Sequence, residues 1–273
     1  MTGVQTCALP ILLALPLLPG DSTLTLTSAP ESAPYIAMTE EVLAAAGISL
    51  YRTGSRYRIP GGQRYRLPSH LTVEGDWSAA AFFLCAGAMS REGIAVDGLS
   101  LPTRQGDSAL LPLLRQMGAV VNLSSGCITV RKGRLRATDI DARPIPDLIP
   151  PLSVLAAAAE GESHIQNARR LRYKESDRLQ GIAELLNSLG GCLTVDGDGL
   201  LIHGVSHLQG GTVDPMGDHR LAMSAALAAL SADAPVTVRD ADCVSKSYPA
   251  FWADFQSLKG EAPCPAPSET PSV

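Results

Sequence analysis

The sequence predicts an α/β fold assembled from repeated β-α-β-α-β-β units, and three observations predict it. Apolar, helix-like segments follow three aspartates, Asp76, Asp147 and Asp218, which stand 71 residues apart. Each segment runs into a short strand-like stretch: GIAVDGLS, SHIQNAR or PVTVRDA. A second helix begins thirty or thirty-one residues after each aspartate, at Asp107, at Asp177 and near Tyr248. A fixed period of this kind is the signature of repeated supersecondary units. With 273 residues, 45% hydrophobic and 18% charged, the chain has apolar material for one large domain or two smaller ones.

Taken in order, the first string is MTGVQTCALPI. It resembles the translation of a common sequencing adapter, so residues 1–11 are expected to be an artefact and are left out of the fold. ALPILLALPLLP, residues 8–19, is apolar enough for a secretion signal, but the first basic residue is Arg52. A signal needs a basic segment ahead of its apolar run. Pro10, Pro16 and Pro19 also interrupt any helix there. Residues 12–73 read as the remnant of a first globular domain, one repeat unit long. TLTLTS is its strand, residues 35–46 its helix, and ISLYRTGSRYRIPGG its hairpin. PSHLTVEGD crosses to the triplicated part, which places a boundary near Val73. Residues 74–260 then form a second globular domain of three units. The first two units end in hairpins, VVNLSSGCITVRKG and CLTVDGDGLLIHG, and the third is cut short. Residues 261–273, rich in Pro, Ser and Ala without periodicity, read as a disordered tail.

Composition narrows the function. A net charge of −5 argues against a general nucleic-acid or anionic-membrane surface, and 4% aromatic residues weaken base stacking further. The six cysteines are widely spaced with no C-x-x-C, which points to reduced thiols in a cytoplasmic protein rather than disulfides or structural zinc. His70, His164, His203 and His207 lack metal-ligand spacing, and no apolar run reaches the length of a membrane span. The G-x-x-x-x-G-K-[ST] and G-x-S-x-G patterns are absent from the sequence.

What remains points to anions. Helices related by an approximate threefold aim their N-termini at one region, where free N–H groups attract phosphates and carboxylates. An aspartate before an apolar periodic run is ordinarily an N-cap, a reading that suits Asp76 and Asp107. RRLRYKESDR gathers Lys174, Glu175 and Arg178 where a strand meets a helix, with Asp177 as the cap. Such a group can clamp an anion and keep a proton carrier beside it. Arginine in a first helical turn opposes the helix dipole, so Arg178 requires another justification. DHR repeats the pattern with Arg220 behind Asp218, and Lys246 occupies the matching connection of the third unit. Arg131, Lys132, Arg134 and Arg136 instead read as a solvated hairpin end.

On these motifs the chain resembles the 5-enolpyruvylshikimate-3-phosphate synthase family. The matches are LTVEGDWSAAAFFL (71–84), RQGD (104–107), PIPD (144–147), RYKESDRL (172–179), DHRLAM (218–223) and CVSKSYPAF (243–251). The resemblance implies the enolpyruvyl transferase fold, an inside-out α/β barrel of six units in two domains, with the substrates between them. It implies transfer of the enolpyruvyl group of phosphoenolpyruvate to the 5-hydroxyl of shikimate 3-phosphate, through a tetrahedral ketal, without a cofactor. Residue by residue, Asp147 would be the proton acceptor, Lys174 a shikimate 3-phosphate ligand that assists proton transfer, and Glu175 a second proton carrier. Arg178, Arg220 and Lys246 would hold phosphoenolpyruvate, and Ser32 and Tyr35 in SAPY would contact the shikimate phosphate. The partners implied are these two small molecules, with no nucleic acid or membrane, and a monomer when complete. Two alternatives stay open: a non-catalytic anion-binding fragment, and the sister UDP-N-acetylglucosamine enolpyruvyl transferase.

Overall fold

The computed structural model describes residues 8–28, 30, 33–124 and 126–258. The chain divides into two compact units, residues 1–73 with 102–106, and residues 74–101 with 107–273. The tail from residue 261 lies outside the described residues.

Unit one runs α1 (Ala8–Ala14), β1 (Ser22–Thr25), α2 (Ala33–Ala45), β2 (Tyr51–Thr53) and β3 (Arg56–Ile59). Its strands form an antiparallel sheet in the order β1-β3-β2, with β2 and β3 joined through Gly54 in the left-handed region. Leu12, Ile36, Leu43, Ile48, Tyr57 and Ile59 make its small core. Helix α1 takes in Ala8–Ile11 of the adapter-like string, and Ala8 is buried. Pro10 is tolerated because it lies in the first helical turn, where its missing N–H has no intrahelical partner to lose.

Unit two contains α3 (Trp77–Met89), β4 (Ile94–Asp97), α4 (Leu110–Gln116), β5 (Val120–Ser124) and β6 (Cys127–Arg131). The second repeat follows as β7 (Ile140–Asp141), α5 (Ile149–Ala157), β8 (Glu162–Gln166), α6 (Arg178–Ser188), β9 (Cys192–Asp196) and β10 (Gly199–His203). The third comprises β11 (Gly211–Val213), α7 (His219–Ala228), β12 (Val236–Val238) and α8 (Phe251–Ser257). The complete sheet, β7-β8-β10-β9, pairs β7 with β8 in parallel and the rest antiparallel. The first repeat shows β4-β6-β5 and the third β11-β12, each a part of that plan. In the first repeat the Gly75 N–H donates to the Gly98 carbonyl at 2.9 Å, just past the end of β4. In the second repeat the Ala142 N–H donates to the Gln166 carbonyl and extends the β7–β8 pairing.

Helices α3, α5 and α7 are the centre of unit two and pack on one another. All nine residues of α5 are buried, as are eleven of thirteen in α3 and nine of ten in α7. A helix apolar on every side can exist only as core, which is why these segments carry no polar stripe. Alanine and glycine keep them thin enough to pack closely. Phe82, Phe83 and Phe251 close one end, with ring centroids 5.8–6.2 Å apart. Among the described residues no helix is long and apolar enough to cross a membrane.

Close packing makes Gly87 indispensable. A Cβ there would lie 2.6 Å from the Val130 carbonyl of β6, backbone that cannot move aside. Gly87→Ala is therefore expected to destabilise the chain by about 1–3 kcal/mol, although alanine is the better helix former. Urea unfolding measures it, and an unchanged or raised midpoint would contradict the packing.

Candidate active site

Each helix that begins at the centre of unit two brings an aspartate, and the three are used differently. Asp76 caps α3, accepting from the N–H groups of Ser78 and Ala79 at 2.8 and 3.2 Å. Asp218 caps α7 through the Arg220 N–H at 2.9 Å. Asp147 is not at the N-cap of α5, a position that Leu148 holds. It sits in a 3-10 turn, Pro146–Leu148, ahead of α5. The donors equivalent to those of Asp76 would be Ile149 and Pro150, and Pro150 has no N–H. Its carboxylate meets three cationic side chains.

Those side chains are the cations singled out in the sequence. Lys174 Nζ lies 3.0 Å and Arg178 2.9 Å from Asp147 Oδ1, and Arg220 Nε approaches it at 3.5 Å. Arg178, 1% exposed, donates Nε–H to Asp218 Oδ2 at 2.7 Å and reaches Glu175 Oε2 at 2.6 Å. Lys246 Nζ closes the chain on Glu175 Oε1 at 3.1 Å. Asp177 caps α6, as its position predicts, and Arg172 holds that cap at 3.1 Å while donating to the Gly197 carbonyl. This fixes the loop that presents Lys174 and Glu175. The dipole conflict posed by Arg178 is settled by three carboxylates.

Electrostatics follow from burial set against charge. Burial pushes the Asp147 carboxyl up, but Arg220, Lys174 and Arg178 overcome it and hold it well below the usual carboxylate range. Burial likewise opposes ionised Glu175, and Arg178, a backbone N–H and Lys246 bring it down to about 2. Desolvation lowers Lys174 despite its partner Asp147. Four cations face three carboxylates in one bonded cluster, which suits ligands carrying several negative charges.

Six of the eight expected site residues, Asp147, Lys174, Glu175, Arg178, Arg220 and Lys246, meet here. Of the other two, Ser32 lies outside the described residues, and Tyr35 is exposed on the first turn of α2 in unit one. Asp107 requires a correction. It is not an N-cap, because α4 has Ala109 at that position with no side-chain bond. Asp107 is instead buried and accepts from the Ser78 hydroxyl, and burial raises its carboxyl despite that bond. Two participants escaped the sequence reading. Asp218, fully buried, grips Arg178, and its signal was the 71-residue register with Asp147. His219 beside it is 4% exposed, its Nδ1 makes no hydrogen bond among the described residues, and burial and Arg220 favour its neutral form. Arg131, Lys132, Arg134 and Arg136 are exposed, as expected of a solvated edge, and Arg134 pairs with Glu160.

The depressed carboxyls fix the sign of a pH effect. Between about pH 4.5 and 2 the unfolded chain protonates Glu175 while the folded chain does not, so its stabilisation is complete above that window and lost as pH falls through it. The stability difference between the wild type and Glu175→Gln should therefore shrink from about pH 6 to pH 2.5. Urea midpoints measure this, and a constant difference would contradict the ion pairing.

With the geometry in place, comparisons with known proteins are specific. A family model described as EPSP synthase (3-phosphoshikimate 1-carboxyvinyltransferase) matches residues 5–255. The 3-phosphoshikimate 1-carboxyvinyltransferase of Clostridium kluyveri is 41% identical over 254 residues, covering 92% of this chain and 59% of the relative. That of Methanocella arvoryzae is 42% identical, covering 91% and 58%. Among solved structures, an EPSP synthase from Acinetobacter baumannii aligns with a TM-score of 0.75 at 28% identity, over 92% of this chain and 59% of its own. The enolpyruvyl transferase NikO from Streptomyces tendae shares the fold, with a TM-score of 0.72 at 23% identity, over 90% and 57%. The chain thus spans about three fifths of the length of the relatives it matches.

Proposed function

The chain belongs to the EPSP synthase family, and on that premise we propose that it carries the cation–carboxylate centre of a 3-phosphoshikimate 1-carboxyvinyltransferase. The reaction transfers the enolpyruvyl group of phosphoenolpyruvate to the 5-hydroxyl of shikimate 3-phosphate and releases phosphate. One observation supports this reading above others. Four motifs far apart in sequence, PIPD, KESDR, DHR and VSK, deliver Asp147, Lys174, Glu175, Arg178, Arg220 and Lys246 to a single bonded cluster.

The chemistry needs what the cluster offers. Both substrates carry a phosphate and a carboxylate, so their approach to each other requires dense positive charge. In the addition step Asp147 takes the hydroxyl proton as that oxygen bonds to C2 of phosphoenolpyruvate. C3 receives a proton from the Lys174 ammonium, which gives the ketal, and the ionised Glu175 is the second carrier, able to take a proton back. In the elimination C3 returns a proton to the carrier, the C2–O bond to phosphate breaks, and the enol ether forms. Arg178, Arg220 and Lys246 hold the phosphate and carboxylate of phosphoenolpyruvate, and Ser32 and Tyr35 contact the shikimate phosphate. The same reading makes the protein a cytoplasmic monomer acting on small molecules, a location with which the four free cysteines among the described residues agree.

Phosphate release from the two substrates tests the assignment in a protein carrying this chain together with the rest of its relatives' length. Asp147→Ala is expected to reduce turnover by about 10²–10⁴-fold while anion binding persists. Arg220→Ala should raise KM for phosphoenolpyruvate far more than for shikimate 3-phosphate. Near-normal turnover of Asp147→Ala, or equal KM losses for Arg220→Ala, would contradict the roles. Turnover with a UDP-sugar in place of shikimate 3-phosphate would reassign the acceptor.

A further inference from the structure

Every cation proposed to hold a substrate anion is already bonded to a carboxylate of the chain itself. Lys174 and Arg220 lean on Asp147, Lys246 on Glu175, and Arg178 on both. An Asp or Glu carboxylate offers these donors the same paired oxygen acceptors as a phosphate or a ligand carboxylate. The cluster is therefore self-satisfied, and the bonds a substrate anion would make are the ones that hold Asp147 and Glu175.

The three carboxylates differ in how firmly they are fixed. Asp218 has a side chain 0% exposed and is bound at once to Arg178, to the Ser176 hydroxyl at 3.1 Å and to the α7 backbone at 2.9 Å. Asp147 and Glu175 have side chains 11% and 27% exposed, and Lys174, Arg178 and Arg220 all reach Asp147 Oδ1. Two occupants face the accessible side and one anchors from beneath.

Resting on the functional reading above, we propose that Asp147 and Glu175 are built-in occupants of the anion subsites. An incoming phosphate or carboxylate is held only by displacing them, while Asp218 keeps Arg178 in place. Loading and proton transfer are thereby coupled. Once a substrate anion has taken its cations, Asp147 no longer has the charges that suppress its affinity for a proton. The group that must accept a proton becomes able to do so when there is a substrate to receive it from.

Inorganic phosphate, titrated by calorimetry into the 273-residue chain, tests this without turnover. Glu175→Gln and Asp147→Asn remove a competing charge and are expected to tighten phosphate binding by about three- to tenfold. Asp218→Asn, which loosens the anchor, should weaken it. Circular dichroism establishes that each variant folds. If Asp147→Asn does not, the more exposed Glu175→Gln decides. A folded Glu175→Gln that binds phosphate no more tightly than the wild type would overturn the proposal, and so would phosphate binding to neither. Failure here is distinct from failure of the functional reading. Tightening without enolpyruvyl transfer would leave a self-occupied anion site with another chemistry, and transfer without tightening would leave the enzyme and remove the coupling.

Discussion

A guanidinium taken out of water must be surrounded by acceptors, and the rest of unit two is arranged around that requirement. Arg178 is 1% exposed and meets Asp147, Glu175 and Asp218, each from a different part of the chain. Removing one partner from a buried ion cluster costs about 3–5 kcal/mol, because it strands a charge that burial disfavours. The starts of α5, α6 and α7 are thus held in mutual register by charge as well as by packing. A core of thin, apolar helices supplies the low-dielectric wall that makes those bonds strong. The cluster in turn gives the helices their orientation.

The site is written in the places where the repeat is broken. The 71-residue register aligns Asp76, Asp147 and Asp218, then Ser78, Ile149 and Arg220, and then Asp107, Arg178 and Pro249. Core positions such as Leu84, Leu155 and Ala226 stay apolar in all three copies, whereas the last two of these sets carry a different group in each. One copy spends its aspartate on a cap, one uses it for cap and anchor together, and one turns it to the cations Lys174, Arg178 and Arg220. The repeat supplies three comparable helix starts, and the residues that differ between copies make them chemically unequal.

This explains what could be read from sequence. The repeat, the three central helices and the hairpins were legible because periodic burial imposes periodic apolar residues, visible without any partner. The cations were legible because KESDR and DHR place charge where a helix start disfavours it. Asp218 and Asp107 were not, since an aspartate ahead of an apolar run looks the same whether it caps a helix, anchors an arginine or lies buried against Ser78. Only tertiary contact separates those uses.

The account stands on the grip of Asp218 on Arg178, and a double-mutant cycle measures that grip directly. Arg178→Gln, Asp218→Asn and the pair are compared by urea unfolding, so that the capping bond lost with Asp218 cancels between the arms. A coupling energy of about 2 kcal/mol or more is predicted for a buried, two-bond ion pair. Additive losses, within about 0.5 kcal/mol, would mean that the two residues act independently and that the cluster is not organised around this arginine.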